Sequence, residues 1–179
     1  MREGDERRVT DRTPIIACIV ARANEIVTDS LLRGAEAEFD DYGFNPAALE
    51  VTWVPGAAEL PLAAQVAAES GKFDAVVCLG AIVKGETDHD QHLAQAVFPA
   101  LQRVALEQSI PVTLGVITAD TLVQALDRAG GKHGNAGRTA LTAAIEMLEV
   151  LSDFRAPARG QEPGGIDLPL SPGEPEAEE

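Results

Sequence analysis

A chain of 179 residues is long enough to bury one full hydrophobic core, and its apolar content of 45% is normal for a globular protein. The net charge of −15 disfavours nucleic acid as a partner, because phosphate binding needs clustered lysine and arginine. No stretch reaches 18 apolar residues, and the charged N-terminus lacks an apolar signal core. We therefore expect no membrane span, no export and a cytoplasmic location.

The acidity belongs mostly to the middle of the chain. Residues 14–154 carry 8 basic and 19 acidic side chains, against 4 of each in residues 1–13. We predict a flexible N-terminal arm over residues 1–13 and an α/β domain over residues 14–154. Residues 155–179, dominated by proline, glycine and glutamate, predict a disordered acidic tail.

Strands and helices alternate along the domain. We predict strands at 15–20, 49–54, 75–79 and 112–117, and helices at 26–41, 58–70, 91–108, about 121–128 and about 136–152. The first strand, IIACIV, is typical of one buried on both faces. This alternation predicts a four-stranded parallel sheet with helices on both faces, a three-layer α/β fold.

Local signals refine these elements. The apolar stripe of the first helix comprises Ile26, Leu31, Leu32, Ala35 and Phe39. Pro99 should kink or interrupt the third long helix. Thr118, Ala119 and Asp120 are expected to cap the short helix, and Asn135 precedes the last one.

Two cysteines, Cys18 and Cys78, fall within apolar runs that predict central strands. Free cysteine behaves as a small hydrophobe, so we expect buried free thiols in a reducing compartment.

The stretch LGAIVKGETDHDQHLAQ at residues 79–95 carries the strongest functional signal. It passes from a strand through Gly85, Glu86 and Thr87 to Asp88 and His89 at a predicted helix start. Free N–H groups at such a start bind anionic oxygens, and histidine exchanges protons near neutral pH. We predict the active site here.

Ligands of parallel α/β sheets bind beyond the carboxyl ends of the strands, where segments 21–24, 55–59, 81–89 and 114–120 should meet. Simpler explanations stand beside each candidate. Glu59 can be an ordinary carboxylate in the first turn of a helix, where the helix dipole favours a negative charge. Thr87 and Asp88 can be helix caps, and Arg128 can offset the negative end of a helix dipole at a C-terminus. By themselves these residues indicate a domain that binds a small phosphorylated ligand.

A metal site is the weaker hypothesis. His89 and His92 are three residues apart beside Asp88 and Asp90, but no second His or Cys cluster completes a zinc ligand set. His133, in the glycine-rich loop, is expected to be exposed rather than functional. We predict no metal.

Several motifs together resemble the lumazine synthase family, across about residues 15–151. They are VPGAAELPLAA at 54–64, FDAVVCLGAIVKGETDH at 73–89, PVTLGVITADT at 111–121 and QALDRAGGKHGNAG at 124–137. The first loop, ending in Asn24, resembles a shortened Arg-Phe-Asn loop, and AIEM at 144–147 also matches. The resemblance implies a flavodoxin-like sandwich.

The resemblance also implies a reaction without a cofactor, in which a ribitylamino-pyrimidinedione amine condenses with 3,4-dihydroxy-2-butanone 4-phosphate. Imine formation, phosphate loss and ring closure give 6,7-dimethyl-8-ribityllumazine, which mostly requires two substrates in register and proton transfer. His89 would transfer the proton. The phosphate would be held by Glu86, Thr87 and Arg128, and the other substrate by Ala23, Asn24, Ala57, Ala58, Glu59, Ala81, Ile82, Val83 and Leu114.

The sequence departs from the family pattern at four positions. Ala23 and Leu114 stand where aromatic residues are usual, Ala136 replaces a lysine, and Asp90 replaces an aromatic residue after His89. A lost stacking ring costs about 1–3 kcal/mol of affinity for a base-like ligand. These departures leave two further hypotheses open: a non-catalytic flavin or lumazine binder or shell protein, and an enzyme for another phosphorylated carbonyl substrate.

Assembly is an expectation from the resemblance alone. The family builds homopentamers with active sites between neighbouring subunits, and some members pack twelve pentamers into a hollow shell. The short loop at residues 130–137 is similar to that of shell-forming members.

Overall fold

The computed structural model describes residues 12–156, and these form a parallel sheet covered by helices on both faces. The strands are β1 (Ile16–Ala21), β2 (Leu49–Val54), β3 (Ala75–Val83) and β4 (Val112–Ala119), in the order β2-β1-β3-β4. The helices are α1 (Glu25–Asp41), α2 (Leu60–Glu69), α3 (His89–Gln108), α4 (Leu122–Asp127) and α5 (Ala136–Arg155). The predicted α/β fold with a four-stranded parallel sheet is confirmed.

Both faces of the sheet are buried, which explains the continuous apolar run of β1. Ile16, Cys18 and Val20 pack with α1 and α5, whereas the alternating Ala17 and Ile19 pack with α2 and α3. Every residue of β1 is buried. Because successive side chains of a strand point to opposite faces of the sheet, both faces are covered by helices, and the fold has three layers.

Four local predictions are corrected. Ile26 is 61% exposed, and the neighbouring Val27 takes its place in the core at the start of α1. Of the predicted kink or interruption at Pro99, the interruption does not occur, because α3 runs unbroken from His89 to Gln108. The side chain that caps α4 is Thr121, which accepts a hydrogen bond from the Gln124 N–H at 3.2 Å. The predicted helix at 58–70 begins as a 3₁₀ turn at Ala57–Glu59.

The glycine-rich loop contains an antiparallel hairpin that was not predicted, formed by β5 (Ala129–Gly131) and β6 (Gly134–Asn135). Gly130 and Gly134 have φ angles of +118° and +78°, so glycine suits the left-handed backbone that the turn requires. The hairpin joins α4 to α5 beside the carboxyl end of β4.

The side chain of Asn135, the residue before α5, links α5 to α1. Its Oδ1 accepts hydrogen bonds from the N–H groups of Gly137 (2.8 Å) and Arg138 (3.1 Å), which caps α5. Its Nδ2 donates to the Ser30 carbonyl of α1 at 2.8 Å. A Cβ at Gly34 would lie 2.2 Å from the Asn135 side chain, so the crossing requires glycine there.

A buried carboxylate strengthens the same interface. Glu38 of α1 is 4% exposed, accepts a hydrogen bond from Thr142 Oγ1 at 2.9 Å, and forms an ion pair with Arg138 of α5. Since a buried charge is costly without partners, these contacts fix how α1 and α5 face each other.

An ion pair between Arg12 and Asp74 holds the start of the described chain against the domain. Arg12 Nη2 lies 2.5 Å from Asp74 Oδ1, and Asp74 Oδ2 accepts the Ile15 N–H at 2.8 Å. The rest of the predicted arm, residues 1–11, lies outside the described residues, as does the predicted tail from residue 157 onward. Among residues 12–156, no helix is long and apolar enough to cross a bilayer.

Both cysteines are buried free thiols on opposite faces of the sheet. Burial raises the pKa of the Cys18 thiol to about 12, and the Glu36 carboxylate acts in the same direction. Burial, with a contribution from Cys18, raises the pKa of Cys78 further. The native thiols therefore stay protonated at a pH where unfolded thiols, with a pKa of about 8.5, ionise.

We expect the protein to lose stability as the pH rises from about 8.5 to 12, because the unfolded chain then binds fewer protons than the native one. Each thiol contributes a slope of up to about 1.4 kcal/mol per pH unit. Urea denaturation at pH 8 and pH 10.5 measures the loss. The double variant Cys18→Ala, Cys78→Ala should show a shallower decline, and an equal decline would contradict the prediction.

Candidate active site

The loop after β1, which contains Ala23 and Asn24, lies at the point where the strand order reverses, between β1 and β3. Asn24 has φ of +59°, in the left-handed region that asparagine tolerates better than most residues. Its Nδ2 donates to the Ala81 carbonyl at 2.8 Å, and the Ala23 N–H bonds the Pro55 carbonyl at 3.2 Å. Ligands of parallel α/β proteins bind at such a switch point.

The loop after β2, which contains Gly56, lies beside the loop after β1. A Cβ at Gly56 would lie 3.3 Å from Glu59 Oε2 and 3.9 Å from the Cβ of Ala23, so these residues share one small region. Ala57 is buried, whereas Ala58 and Glu59 are exposed. Ala23 is also exposed, and its methyl group leaves open the space that a larger side chain would occupy.

Strand β3 extends four residues beyond its predicted end, so Ala81, Ile82 and Val83 belong to the sheet. Their partners on β4 are Ile117, Thr118 and Ala119. Ala81 and Ile82 are 3% and 4% exposed and point into opposite core layers. What this segment can offer a ligand is therefore chiefly its main chain.

The predicted catalytic segment follows directly. Lys84 N–H donates to the Ala119 carbonyl at 2.9 Å, and the side chains from residue 84 to residue 89 are exposed. Helix α3 begins at His89, two residues earlier than predicted, with Asp88 as its N-cap residue. The Asp88 side chain makes no capping bond, so a capping role does not explain it. His89 thus stands in solvent beside free N–H groups.

A cavity of about 750 Å³ opens between the first turns of α3, the end of β4 and α4. It is lined by Lys84, Asp90, Gln91, Ala94, Gln95, Thr118, Ala119, Asp120, Gln124, Asp127, Arg128 and His133. Arg128 Nη1 donates to the Gln124 carbonyl at 2.9 Å, so the guanidinium does complete the end of α4 while it faces the cavity.

The structure brings together only part of the predicted phosphate site. Arg128 lines the cavity, whereas Glu86, Thr87 and His89 are exposed outside it. Lys84 and Asp90 also line the cavity; both fall within the predicted stretch 79–95, but neither was assigned a role in substrate binding, and His133, another lining residue, was set aside. The one available signal was position, since Lys84 directly precedes Gly85-Glu86-Thr87.

Leu114 lies within β4, as the predicted strand over residues 112–117 implies. It is the third residue of β4, pairs with Cys78, and packs half-buried against the layer of α2 and α3. The predicted segment 114–120 thus begins well inside the strand, because β4 continues to Ala119. Trp53, the single tryptophan, packs against the α1 layer.

Metal-ligating side chains do not cluster in the part of the chain that the structure describes: no three His, Cys, Asp or Glu residues there are placed to hold one ion.

Two comparisons with known proteins show what the chain is similar to. A sequence profile of the 6,7-dimethyl-8-ribityllumazine synthase family matches residues 14–152. A relative from Protochlamydia amoebophila (strain UWE25), named 6,7-dimethyl-8-ribityllumazine synthase, is 44% identical over 135 residues. The aligned region covers 75% of this chain and 78% of the relative.

Proposed function

The chain belongs to the 6,7-dimethyl-8-ribityllumazine synthase family, and we propose that it catalyses that reaction, a step of riboflavin biosynthesis, at the carboxyl edge of its sheet. 5-Amino-6-(D-ribitylamino)uracil condenses with 3,4-dihydroxy-2-butanone 4-phosphate, releasing phosphate and water. The enzyme is of the transferase type and acts on small molecules in the cytoplasm.

The observation that carries the proposal is the position of His89. It is the first residue of α3, exposed to solvent, and follows a segment that the β3 strand end fixes in place. A histidine there can protonate the departing oxygen of the carbinolamine and accept protons during ring closure. Free N–H groups at the start of a 20-residue helix favour the nearby anion.

The remaining candidates divide by chemistry. Arg128 is proposed to hold the phosphate through the paired N–H donors of its guanidinium, and Glu86 and Thr87 through their main-chain N–H groups, because the Glu86 carboxylate can only accept hydrogen bonds. The pyrimidinedione would lie at the switch point, against the main chain of residues 81–83 and the turn Ala57–Glu59. Asn24, bonded to Ala81, would set the edge of this subsite. No cofactor is needed, because orientation and proton transfer suffice.

We further propose a homo-oligomer, a pentamer or a sixty-chain shell, in which sites lie between neighbours and are completed by Leu114 and Arg128. Its support within one chain is that Arg128 lines a cavity whose lining residues do not include Thr87 and His89. Exposed apolar side chains on α2, Leu62 at 71% and Val66 at 59%, offer surface for a neighbouring copy.

The direct test is steady-state formation of lumazine by the purified full chain, followed by absorbance with both substrates present. Turnover well above the uncatalysed rate is expected. A rate equal to the background would overturn the proposed activity.

One observation favours a second candidate, a binder without turnover. Position 23, at the switch point, is an exposed alanine, so this chain lacks there the aromatic ring that usually stacks on the heterocycle. Calorimetry separates the candidates, because tight lumazine binding by a chain without turnover would favour the binder.

We expect Ala23→Phe to lower KM for the pyrimidinedione amine about tenfold. A ring restored at position 23, which lies beside Gly56, would stack on the heterocycle, a contact worth about 1–3 kcal/mol. Ala23→Leu, which adds apolar area without a ring, is the matched control. Equal KM values for the two variants would show that stacking is not what position 23 lacks.

Assembly should depend on salt, because each chain carries a net charge of −15. At about 0.01 M salt the Debye length is about 30 Å, so subunits repel over long distances, whereas at 1 M it is about 3 Å. We expect light scattering to show larger particles as salt rises. One unchanged particle size from low to high salt would contradict this.

A further inference from the structure

Helix α5 carries an apolar stripe on its outer face. Met147, Val150 and Phe154 are 42%, 40% and 81% exposed, and we call these three residues the α5 stripe. Their spacing of three and four residues places them on one side of the helix, away from the buried Leu141 and Ile145. A single exposed apolar side chain is ordinary, but a continuous row of three large ones indicates a surface that another segment covers.

The outer end of the α5 stripe lies beyond the family pattern. The family profile matches residues 14–152, whereas α5 continues to Arg155 and the chain to Glu179. Phe154, the most exposed residue of the stripe, thus follows the matched region. The segment that covers it is therefore expected in the same part of this chain.

Residues 157–179 contain one apolar cluster, IDLPL at 166–170. No other valine, isoleucine, leucine, methionine or aromatic residue occurs in that part of the sequence. Alternate side chains of an extended segment point to the same side, so the isoleucine and both leucines can form one apolar edge while Asp167 points away. Such an edge is about 13 Å long, similar to the roughly 10 Å from Met147 to Phe154 along the helix.

The connection between α5 and this cluster is long enough for the chain to return. The Arg155 guanidinium donates to the Ser109 carbonyl, which fixes the end of α5 beside the start of β4. Ala156 ends the helix with an extended backbone, at φ −61° and ψ +140°. Ile166 follows ten residues later, and ten extended residues span at most about 36 Å, several times the length of the stripe.

We propose that residues 166–170 fold back onto α5 of the same chain and cover the α5 stripe. A segment attached by a short connection has an effective concentration of roughly 1 mM, so weak packing is enough to keep it docked. The composition of the tail disfavours folding alone, and docking on a preformed helix does not require the tail to fold alone.

A second copy of α5 is the less favoured occupant. Two copies packed stripe to stripe would bring the exposed carboxylates of Glu146 and Asp153, which lie beside the stripe, near those of the other copy. Like charges that meet at an interface repel each other. The cluster at 166–170 carries one charge, Asp167, which the alternation of side chains directs away from the helix.

Met147 reports directly on the α5 stripe. The chain has two methionines, Met1 and Met147, so a full chain labelled with ¹³C at its methionine methyl groups gives one resonance from the stripe. The tail variant carries Ile166→Ser, Leu168→Ser and Leu170→Ser. In this variant the Met147 resonance should shift, because the methyl group then faces water, and the Met1 resonance should stay in place.

A control variant changes the tail outside the cluster. It carries Glu174→Gln, Glu176→Gln and Glu178→Gln. Both methionine resonances should match the wild type, since the apolar edge is intact. An unchanged Met147 resonance in the tail variant, or an equal shift in the control variant, would overturn the inference.

Hydrogen exchange measures the docked segment itself. In the wild type the amides of residues 166–170 should exchange at least about tenfold more slowly than in Phe154→Ala, as expected for a segment that is docked about nine-tenths of the time. The matched control is Leu106→Ala, because Leu106 of α3 is also 81% exposed but lies outside the stripe. Equally fast exchange in the wild type and Phe154→Ala would contradict the inference.

The other occupants give different results. If a second copy covered the stripe, the Met147 resonance would depend on protein concentration and not on the tail variant. If a neighbour's tail covered it, labelled tail-variant chains refolded with an excess of unlabelled wild-type chains would show the wild-type Met147 resonance. Either result would overturn the assignment of the stripe to the tail of the same chain.

Discussion

Replacing Gly137 with alanine is expected to lower the free energy of unfolding by about 3 kcal/mol, at the upper end of what overpacking usually costs. The added Cβ would lie 2.1 Å from the carbonyl oxygen of Leu31 and 2.7 Å from its carbonyl carbon. Those atoms belong to the backbone of α1, which cannot turn aside as a flexible side chain would. Helix α5 must therefore move away from α1.

That movement would disturb more than one contact. Asn135 bonds the Gly137 N–H and the Ser30 carbonyl together, and Glu38 pairs with Arg138 one residue further along α5. A shifted α5 strains the cap and the buried ion pair, and breaking such a pair is costly.

Urea denaturation monitored by circular dichroism measures the effect. Gly85→Ala is the matched control, because a Cβ at Gly85 meets nothing within 4 Å and its φ is not positive. The control should stay within about 0.5 kcal/mol of the wild type. Similar losses in both variants would show that the α1–α5 contact is not the tight point of the fold.

The layered fold could be predicted because its signals are local and consistent. The run IIACIV of β1 has no polar residue, and such a strand is stable only between two helix layers. Asn135 precedes the last helix and does cap it. Residues whose environment is set by their own neighbours in sequence were placed well.

The corrected elements depend on tertiary packing. Ile26 fits an apolar stripe by spacing, but the start of α1 turns Val27 inward and leaves Ile26 in solvent. The β5–β6 hairpin has strands of three and two residues, too short for an alternating pattern. Strand β3 runs on to Val83 because β4 extends beside it.

The candidate site divides in the same way. His89 could be proposed from the motif because strand, glycine and helix start follow one another in the chain. Lys84 and Asp90 lie in the predicted stretch 79–95, but the cavity that they share could not be predicted, because α3, α4 and β4 form it together. The spacing of residues along the chain does not indicate which side chains line the same cavity.

The His89→Ala variant should lower kcat by about 10²–10⁴, the usual contribution of a positioned acid or base. His89 is exposed, and its removal takes no contact from the core, so the loss would reflect chemistry and not folding. His92→Ala, one turn along the same helix and also exposed, is the control. Full turnover without His89 would exclude it as the proton-transfer group.

Arg128→Ala should act on the other substrate, raising KM for the butanone phosphate about 10- to 100-fold while the KM for the amine stays near that of the wild type. Arg128 also donates to the Gln124 carbonyl, so part of any loss could come from a frayed α4. Arg128→Lys separates these roles, because it keeps the charge without the planar fork. Arg103→Ala, an exposed arginine on α3, controls for net charge. An unchanged KM in Arg128→Ala would remove this residue from the phosphate site.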